Sequence, residues 1–170
     1  LPLGPVLAVM PWNFPYWQAV RFLAPTILAG NVALLKHASS VQGCAAAMED
    51  MARQAGAPEG LFQNLAIKSD KVDAIIADRR VVAVTLTGSE GAGAKVAEAA
   101  GRALKKVVLE CGGKNPAVVF DDAQDLATVA SHVLNGAFWN MGENCSATSR
   151  LLVQESVKEA LLAEMAKQIG

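Results

Sequence analysis

The sequence predicts an α/β fold in which helices flank a Rossmann-like parallel sheet, followed by the first part of a second α/β domain. Short apolar runs recur along the chain and are continuous rather than alternating, as in residues 6–10 and 81–87, which is typical of strands buried on both faces. Helical patterns of roughly ten to fifteen residues separate these runs, and that spacing favours parallel βαβ units. The carboxyl ends of the strands are therefore expected to form the edge at which a ligand binds.

Each predicted element is bounded by local signals. The strands are predicted over residues 6–10, 32–35, 62–67, 81–87, 106–111, 117–120 and 151–154. The helices are predicted over residues 16–29, 41–55, 70–78, 94–103, 125–139 and 156–169. Gly30 and Gly56 end the first two helices, and Ser39 and Ser40 are expected to cap the second. The break at Gly112–Gly113 predicts one domain over residues 1–111 and the incomplete beginning of another over residues 112–170.

Composition limits the functional classes. The chain has 170 residues, of which 52% are hydrophobic and 18% charged, and this indicates a folded globular protein rather than a disordered one. The net charge is −1 without a basic stripe, so nucleic acid is not an expected partner, and no apolar run reaches the length of a membrane helix. Three cysteines without metal-ligand spacing fit a reducing cytoplasm and predict no metal site. The first residue is not Met and the last residues continue a helical pattern, so we expect a piece of a longer protein.

A polar loop of small residues, 140–150, surrounds Cys145. Small neighbours leave the sulfur accessible to a ligand, and a thiolate is a strong nucleophile. Cys145 is therefore a candidate catalytic nucleophile, and the alternative is a half-buried structural cysteine.

Two further residues have the chemistry that such a nucleophile needs. Glu110 follows the apolar residues 107–109, where an unpaired carboxylate is costly, so it is a candidate general base; the alternative is an ion pair with a neighbouring lysine. Asn13 lies just beyond the first strand, where its side-chain amide could stabilise an oxyanion, and an ordinary turn asparagine is the alternative.

Two features fit a phosphate-bearing cofactor. The glycine-rich segment 88–93 joins a strand to a helix, so its backbone could approach a phosphate at the helix N-terminus, but an ordinary turn explains it equally well. Lys36 ends a buried strand at the expected ligand-binding edge and could bond ribose hydroxyls or a phosphate. A solvated lysine at the end of the strand is the alternative.

Four motifs follow one another along the chain. They are Pro11-Trp12-Asn13-Phe14-Pro15, Leu86-Thr87-Gly88-Ser89, Leu109-Glu110-Cys111-Gly112-Gly113-Lys114 and Gly142-Glu143-Asn144-Cys145. In order and separation they resemble the NAD(P)-dependent aldehyde dehydrogenase superfamily, most of all its bacterial succinic semialdehyde dehydrogenases. The resemblance implies that residues 1–111 are a cofactor-binding domain and that residues 112–170 begin a catalytic domain. It also implies a homo-oligomeric parent protein several hundred residues long, of which this piece alone is expected to be inactive.

The resemblance implies a role for each motif residue. Cys145 would attack the aldehyde carbon, Asn13 and the Cys145 backbone N–H would hold the oxyanion, hydride would pass to NAD or NADP, and Glu110 would activate the hydrolytic water. The residues implied to contact the cofactor are Trp12, Lys36, Ser39, Gly88 and Ser89. The residues implied to line the substrate pocket are Phe14, Arg21 and Trp139.

Three positions depart from the superfamily pattern. Members that prefer NAD often have a glutamate where this chain has Ser39, so NADP is expected to be accepted, with His37 able to shift the preference either way. Cys111 stands where leucine is usual, and it either fills core space or forms a reversible disulfide with Cys145. Glu143 stands where glutamine is common, and its charge would oppose thiolate formation unless it points away.

Arg21 is the strongest indication of the substrate. It lies in an otherwise apolar predicted helix, eight residues after Asn13, and its guanidinium suits a carboxylate; an ion pair with an acidic residue is the alternative. Succinic semialdehyde dehydrogenases resemble this chain in having an arginine here, but a second arginine found in some of them is replaced by Trp139. Succinic semialdehyde is therefore the expected substrate. An aminoaldehyde or broad-range aldehyde dehydrogenase and a non-catalytic nucleotide-binding protein are the alternatives.

Overall fold

Strands and helices alternate along the chain, as the sequence predicts. The computed structural model describes residues 1–169. Its strands are β1 Pro5–Met10, β2 Val32–His37, β3 Phe62–Asn64, β4 Ala83–Gly88, β5 Lys106–Cys111, β6 Asn115–Val119 and β7 Thr148–Val153. Its helices are α1 Pro15–Leu28, α2 Gln42–Gln54, α3 Val72–Ala77, α4 Glu90–Arg102, α5 Leu126–Phe138 and α6 Glu155–Ile169. Short 3₁₀ turns occupy Ser39–Val41, Ser69–Lys71 and Trp139–Gly142. None of the helices within residues 1–169 is long and apolar enough to cross a membrane.

The chain forms two compact units, the first ending at Cys111 and the second beginning at Gly112. The first unit is built on a sheet of five strands in the order β3-β2-β1-β4-β5. Every neighbouring pair in this sheet is parallel, which confirms the predicted fold class. β1 is central, because Val6 stands opposite Ala33 of β2 on one side and Ala83 of β4 on the other. The carboxyl ends of all five strands therefore lie at the same edge.

Helices cover both faces of this sheet. On one face, Leu7 belongs to a buried cluster with Ile76 of α3. On the other face, Ala8 belongs to a cluster with Phe22 of α1 and Met48 of α2. Neighbouring residues of β1 thus point to opposite cores, as expected for a strand buried on both sides. Each large apolar side chain that is buried in this way contributes about 1.5–3 kcal/mol to the free energy of unfolding.

β5 is exposed, contrary to the prediction of a buried strand. It lies at the edge of the sheet, and Val107, Val108 and Leu109 are 39%, 60% and 38% exposed. Its apolar run predicts the strand correctly, but an apolar run does not reveal whether a neighbour covers it. The expected cost of an unpaired carboxylate at Glu110 therefore does not arise, because its side chain is exposed.

The predicted serine cap of α2 is also wrong. Ser39 and Ser40 lie inside the 3₁₀ turn that precedes α2, and neither caps the helix with its side chain. The first residue of α2, Gln42, donates a hydrogen bond from its Nε2 back to the carbonyl oxygen of His37 at 3.1 Å, which ties the start of the helix to the end of β2. The hydroxyl of Ser39 therefore remains available at the carboxyl edge of the sheet.

The glycine-rich segment between β4 and α4 is mostly helical rather than a loop. α4 begins at Glu90, and the Ser89 hydroxyl caps it by accepting a hydrogen bond from the Ala92 N–H at 3.3 Å. A Cβ built on Gly93 would lie 2.8 Å from Sγ of Cys111, so glycine permits α4 to pack closely on β5. The thiol of Cys111 is free and packs beside this core, which agrees with the prediction that it fills space.

The second unit contains β6 and β7, which pair in parallel, together with α5 and α6. Its core is centred on a cluster of the buried residues Val119, Ala130 and Leu161. Asp125 caps α5, because its carboxylate accepts hydrogen bonds from the Thr128 hydroxyl at 2.7 Å and the Thr128 N–H at 3.1 Å. These bonds lower the pKa of Asp125, with the hydroxyl contributing most.

Candidate functional site

The carboxyl edge of the five-stranded sheet brings together the predicted residues of the first unit. Asn13 follows β1, Lys36 lies one residue before the end of β2, and Gly88 ends β4. Glu110 stands opposite Thr87 in the pairing of β5 with β4. These positions agree with the general placement of ligand sites in open parallel sheets.

Lys36 is buried, so the alternative of a solvated lysine does not fit. It lines a cavity of about 390 Å³, and its Nζ donates a hydrogen bond to the Ser69 hydroxyl at 3.4 Å. Ser39, Gln42 and Lys68 also line this cavity. Two ammonium groups and two hydroxyls around one cavity suit a phosphate beside a sugar. Sequence analysis missed Lys68 and Ser69, although both follow β3 at the predicted ligand-binding edge.

The loop between β1 and α1 contains Trp12, Asn13 and Phe14. Trp12 is 48% exposed, whereas Asn13 and Phe14 are half-buried. Just beyond the loop, a hydrogen bond with the Cys44 thiol raises the pKa of Tyr16. The loop is therefore accessible on its Trp12 side and packed against the protein at Asn13.

Arg21 and Glu110 line one cavity of about 430 Å³. Arg21 is exposed rather than buried, and its Nη2 donates a hydrogen bond to the Thr87 hydroxyl at 3.3 Å. Among residues 1–169, neither Arg21 nor Glu110 takes part in an ion pair, so the ion-pair alternatives do not fit either residue. Asn13 is not among the described residues that line this cavity, so Arg21 and Asn13 do not share it.

Cys145 lies in a β-turn of the second unit, in which the Ala147 N–H donates a hydrogen bond to the Asn144 carbonyl at 3.0 Å. The thiol is exposed, so the alternative of a half-buried structural cysteine does not fit. Oδ1 of Asn144 accepts a hydrogen bond from the Ser146 N–H at 3.2 Å and lies 3.7 Å from the Cys145 sulfur. The turn therefore presents the sulfur outward on a backbone that its own side chains fix.

Asn115 holds this turn from the start of β6. Its Nδ2 donates to the carbonyl oxygen of Cys145 at 2.8 Å and to that of Ala147 at 3.2 Å. One amide group thus fixes two carbonyls of the turn, and with them the direction of the Cys145 side chain. Sequence analysis missed Asn115, because nothing in its local pattern distinguishes it from any other asparagine at the start of a strand.

A left-handed segment leads into the Cys145 turn. Asn140, Met141 and Gly142 have φ values of 52°, 58° and 75°. Such backbone is uncommon for residues other than glycine and persists only where the surrounding structure requires it. A Cβ on Gly142 would lie 3.1 Å from the carbonyl oxygen of Ala137, so this position has little room for another residue. Trp139 directly precedes this segment and is 57% exposed.

Comparison with known proteins identifies the family of the chain. The family model described as the aldehyde dehydrogenase family matches residues 1–170. The chain belongs to the aldehyde dehydrogenase family. Its membership confirms the resemblance found in the four sequence motifs.

Relatives within the family are known in sequence and in structure. The chain is 49% identical over 166 residues to a probable succinate-semialdehyde dehydrogenase [NADP(+)] of Synechocystis sp., which covers 98% of this chain and 36% of that protein. A succinic semialdehyde dehydrogenase from Streptococcus pyogenes, solved in complex with NADP⁺, has a TM-score of 0.92 and 41% identity over 96% of this chain and 36% of that one. An NAD-dependent aldehyde dehydrogenase from Sinorhizobium meliloti has a TM-score of 0.93 and 37% identity over 98% of this chain and 33% of that one. The chain thus spans about a third of the length of these relatives.

Proposed function

We propose that the protein containing this chain oxidises an aldehyde to a carboxylic acid, with Cys145 as its covalent nucleophile and NADP or NAD as its cofactor. The observation that supports this most strongly is the exposed Cys145 thiol, presented by a hydrogen-bonded turn in a chain of the aldehyde dehydrogenase family. A thiol in this setting can reach a carbonyl carbon, whereas a core cysteine cannot. Residues 1–111 are proposed to bind the cofactor, and the second unit is proposed to begin the catalytic domain.

The residues of the chain would share the reaction as follows. Once its thiol proton has passed to solvent, the sulfur of Cys145 forms a bond to the aldehyde carbon while the carbonyl electron pair moves to the oxygen, which the Asn13 amide and the Cys145 N–H stabilise. When bound, the nicotinamide supplies the hydride acceptor that the oxidation requires. The aldehyde hydrogen leaves as hydride, the oxygen's electron pair re-forms the carbonyl, and Cys145 is left holding the acyl group as a thioester. Glu110, which is exposed to solvent, takes a proton from the water that releases the acid and restores the thiol.

NADP fits the residues around Lys36. A buried ammonium that donates to the neutral Ser69 hydroxyl, with Lys68 on the same cavity, favours a negatively charged group such as the 2′-phosphate. Ser39 adds no negative charge to oppose it. Ser89 lies at the N-terminus of α4, where backbone N–H groups suit the pyrophosphate, and Gly88 and Trp12 lie along the same edge.

Succinic semialdehyde is the proposed substrate, with Arg21 as the partner of its carboxylate. Support comes from the Synechocystis and Streptococcus relatives, which are named for this aldehyde. The alternative within the class is an aminoaldehyde or a neutral aldehyde. One observation favours that alternative. Arg21 lines a cavity with Glu110 and donates to the Thr87 hydroxyl, and Asn13 is not among the described residues that line this cavity, so the contacts of Arg21 do not place it beside the proposed oxyanion site. A third possibility is a protein that binds the nucleotide without turnover.

The proposal can be tested on the full open reading frame around this chain. With succinic semialdehyde as substrate, we expect the reduced nicotinamide to form, as measured by its absorbance. We expect this turnover to be lost in Cys145→Ala. Turnover that survives Cys145→Ala would refute the covalent mechanism. Nucleotide binding without turnover on any aldehyde would favour the non-catalytic alternative.

A second variant tests the substrate separately from the mechanism. Arg21→Leu should raise KM for succinic semialdehyde by roughly ten- to a hundredfold, the cost of losing a charge-assisted pair, and should leave KM for an uncharged aldehyde of similar length nearly unchanged. Equal losses for both aldehydes would mean that Arg21 supports the fold rather than the substrate.

A further inference from the structure

His37 is a fully buried polar residue at the carboxyl end of β2, and the proposed reaction gives it no role. The sequence suggested that it tunes the cofactor preference, but a side chain with 0% exposure does not face a bound ligand. Its neighbour Lys36 points to the Ser69 side of the sheet, and alternation along the strand sends the His37 ring to the other side. The ring must therefore act within the protein.

Three backbone groups hold the ring. Nδ1 of His37 accepts a hydrogen bond from the Ala38 N–H at 3.0 Å and lies 3.3 Å from the carbonyl oxygen of Met10. With Nδ1 accepting, Nε2 is the nitrogen that donates, and its partner is the carbonyl oxygen of Pro15 at 2.9 Å. Both ring nitrogens therefore have hydrogen-bond partners inside the protein.

These contacts connect β2 to both ends of the Asn13 loop. Pro15 is the first residue of α1, and Met10, the last residue of β1, is the cross-strand partner of His37. The four residues between Met10 and Pro15 include Asn13. Proline has no N–H, so the loop has fewer backbone donors with which to fix its own course, and the ring supplies one from outside.

We propose that His37 is a positioning residue for Asn13. The bond from its Nε2–H to Pro15 fixes where the loop joins α1, and so sets where the Asn13 amide stands relative to a bound aldehyde. The side chain of His37 touches no reacting atom in this role. The inference rests on the proposed function, since it takes the oxyanion role of Asn13 as given.

Two amide substitutions separate the two nitrogens of the ring. The Gln amide of His37→Gln reaches the position of Nε2 and can donate to Pro15, whereas the shorter amide of His37→Asn reaches only the position of Nδ1. The two variants have similar polarity, so they are matched controls for the burial of a polar group. Each is made in the full open reading frame, with and without Asn13→Ala.

The measured quantity is the single-turnover rate of reduced nicotinamide formation from the aldehyde. We expect His37→Asn to lower this rate by roughly ten- to a hundredfold, the cost of displacing a catalytic group by a fraction of an ångström to an ångström. His37→Gln should stay within about threefold of the wild type, because it restores the bond to Pro15. In the Asn13→Ala background, adding His37→Asn should lower the single-turnover rate by less than about twofold, because the side chain that His37 positions is already absent.

If Asn13→Ala lowers the single-turnover rate as expected, three results would overturn the positioning role of His37 without affecting the proposed function. These are equal losses from His37→Asn in both backgrounds, equal losses from His37→Asn and His37→Gln, or failure of His37→Asn to fold while His37→Gln folds. A wild-type rate in Asn13→Ala would overturn the oxyanion role in the proposed function together with this inference. The two failures are thereby distinguished.

Discussion

The Lys36 cavity gives the sharpest test of cofactor recognition, through replacement of Ser39 by glutamate. Ser39 and Lys36 line the same cavity, together with Lys68 and Ser69. A carboxylate at position 39 would repel the 2′-phosphate of NADP and could accept hydrogen bonds from the ribose hydroxyls of NAD. Ser39→Glu should therefore lower the preference for NADP over NAD.

The size of the effect follows from Coulomb's law. For a carboxylate about 5 Å from the phosphate, the repulsion per unit of phosphate charge is roughly 3 kcal/mol at an effective dielectric constant of 20 and roughly 1 kcal/mol in bulk water. Ser39 is exposed while Lys36 is buried, so an intermediate value applies. A net penalty of about 2–3 kcal/mol corresponds to a change of roughly 30- to 150-fold in the ratio of dissociation constants.

The assay is equilibrium binding of NADP and NAD to the full open reading frame, followed by protein fluorescence at two salt concentrations. Ser40→Glu is the matched control, because Ser40 is exposed and adjacent but is not among the described residues that line the cavity. The electrostatic penalty of Ser39→Glu should also diminish at higher ionic strength. An unchanged NADP to NAD ratio in Ser39→Glu, or the same change in Ser40→Glu, would refute the placement of the 2′-phosphate beside Lys36.

Two further predictions concern the nucleophile turn and the packing of α4. Asn115→Ala should lower kcat several-fold with little change in KM, because it removes two hydrogen bonds that orient the Cys145 turn. Asn115→Asp has the same shape but no donor, so its kcat should be at least as low. Steady-state kinetics on both variants measures these effects. Gly93→Ala should lower the melting temperature of the protein, because its Cβ would meet the Cys111 sulfur at a net cost of about 1–2 kcal/mol. Gly101→Ala in the same helix meets nothing within 4 Å and should raise the melting temperature. A higher melting temperature for both variants would contradict the packing argument.

The positions of the proposed ligand-binding residues were predictable because a parallel sheet fixes them. Once the strands are recognised from their apolar runs, Asn13, Lys36 and Glu110 must lie at the same edge, whatever the details of packing. Exposure was not predictable by the same reasoning. The apolar run before Glu110 has the composition of a buried strand, but its place at the edge of the described sheet depends on long-range pairing.

Polar contacts between residues far apart in the sequence could not be predicted either. Asn115 holds the Cys145 turn across a separation of thirty residues, and a contact of that range leaves no periodic pattern in the chain. The glycine-rich segment was ambiguous between a phosphate-binding turn and a packing site, and only the distance from Gly93 to the Cys111 sulfur shows that packing explains at least one of its glycines.

The end of β2 can serve two parts of the proposed reaction. Ala33, Leu35 and His37 alternate with Leu34 and Lys36, so the first set faces the core of α1 and α2 while the second faces the side of α3 and α4. Lys36 therefore reaches the proposed cofactor cavity, and His37 reaches the loop that carries Asn13. Because the two side chains face opposite sides of the sheet, we expect loss of Lys36 to weaken nucleotide binding and loss of His37 to slow the chemical step. Strand alternation would then separate cofactor affinity from reactivity within two consecutive residues.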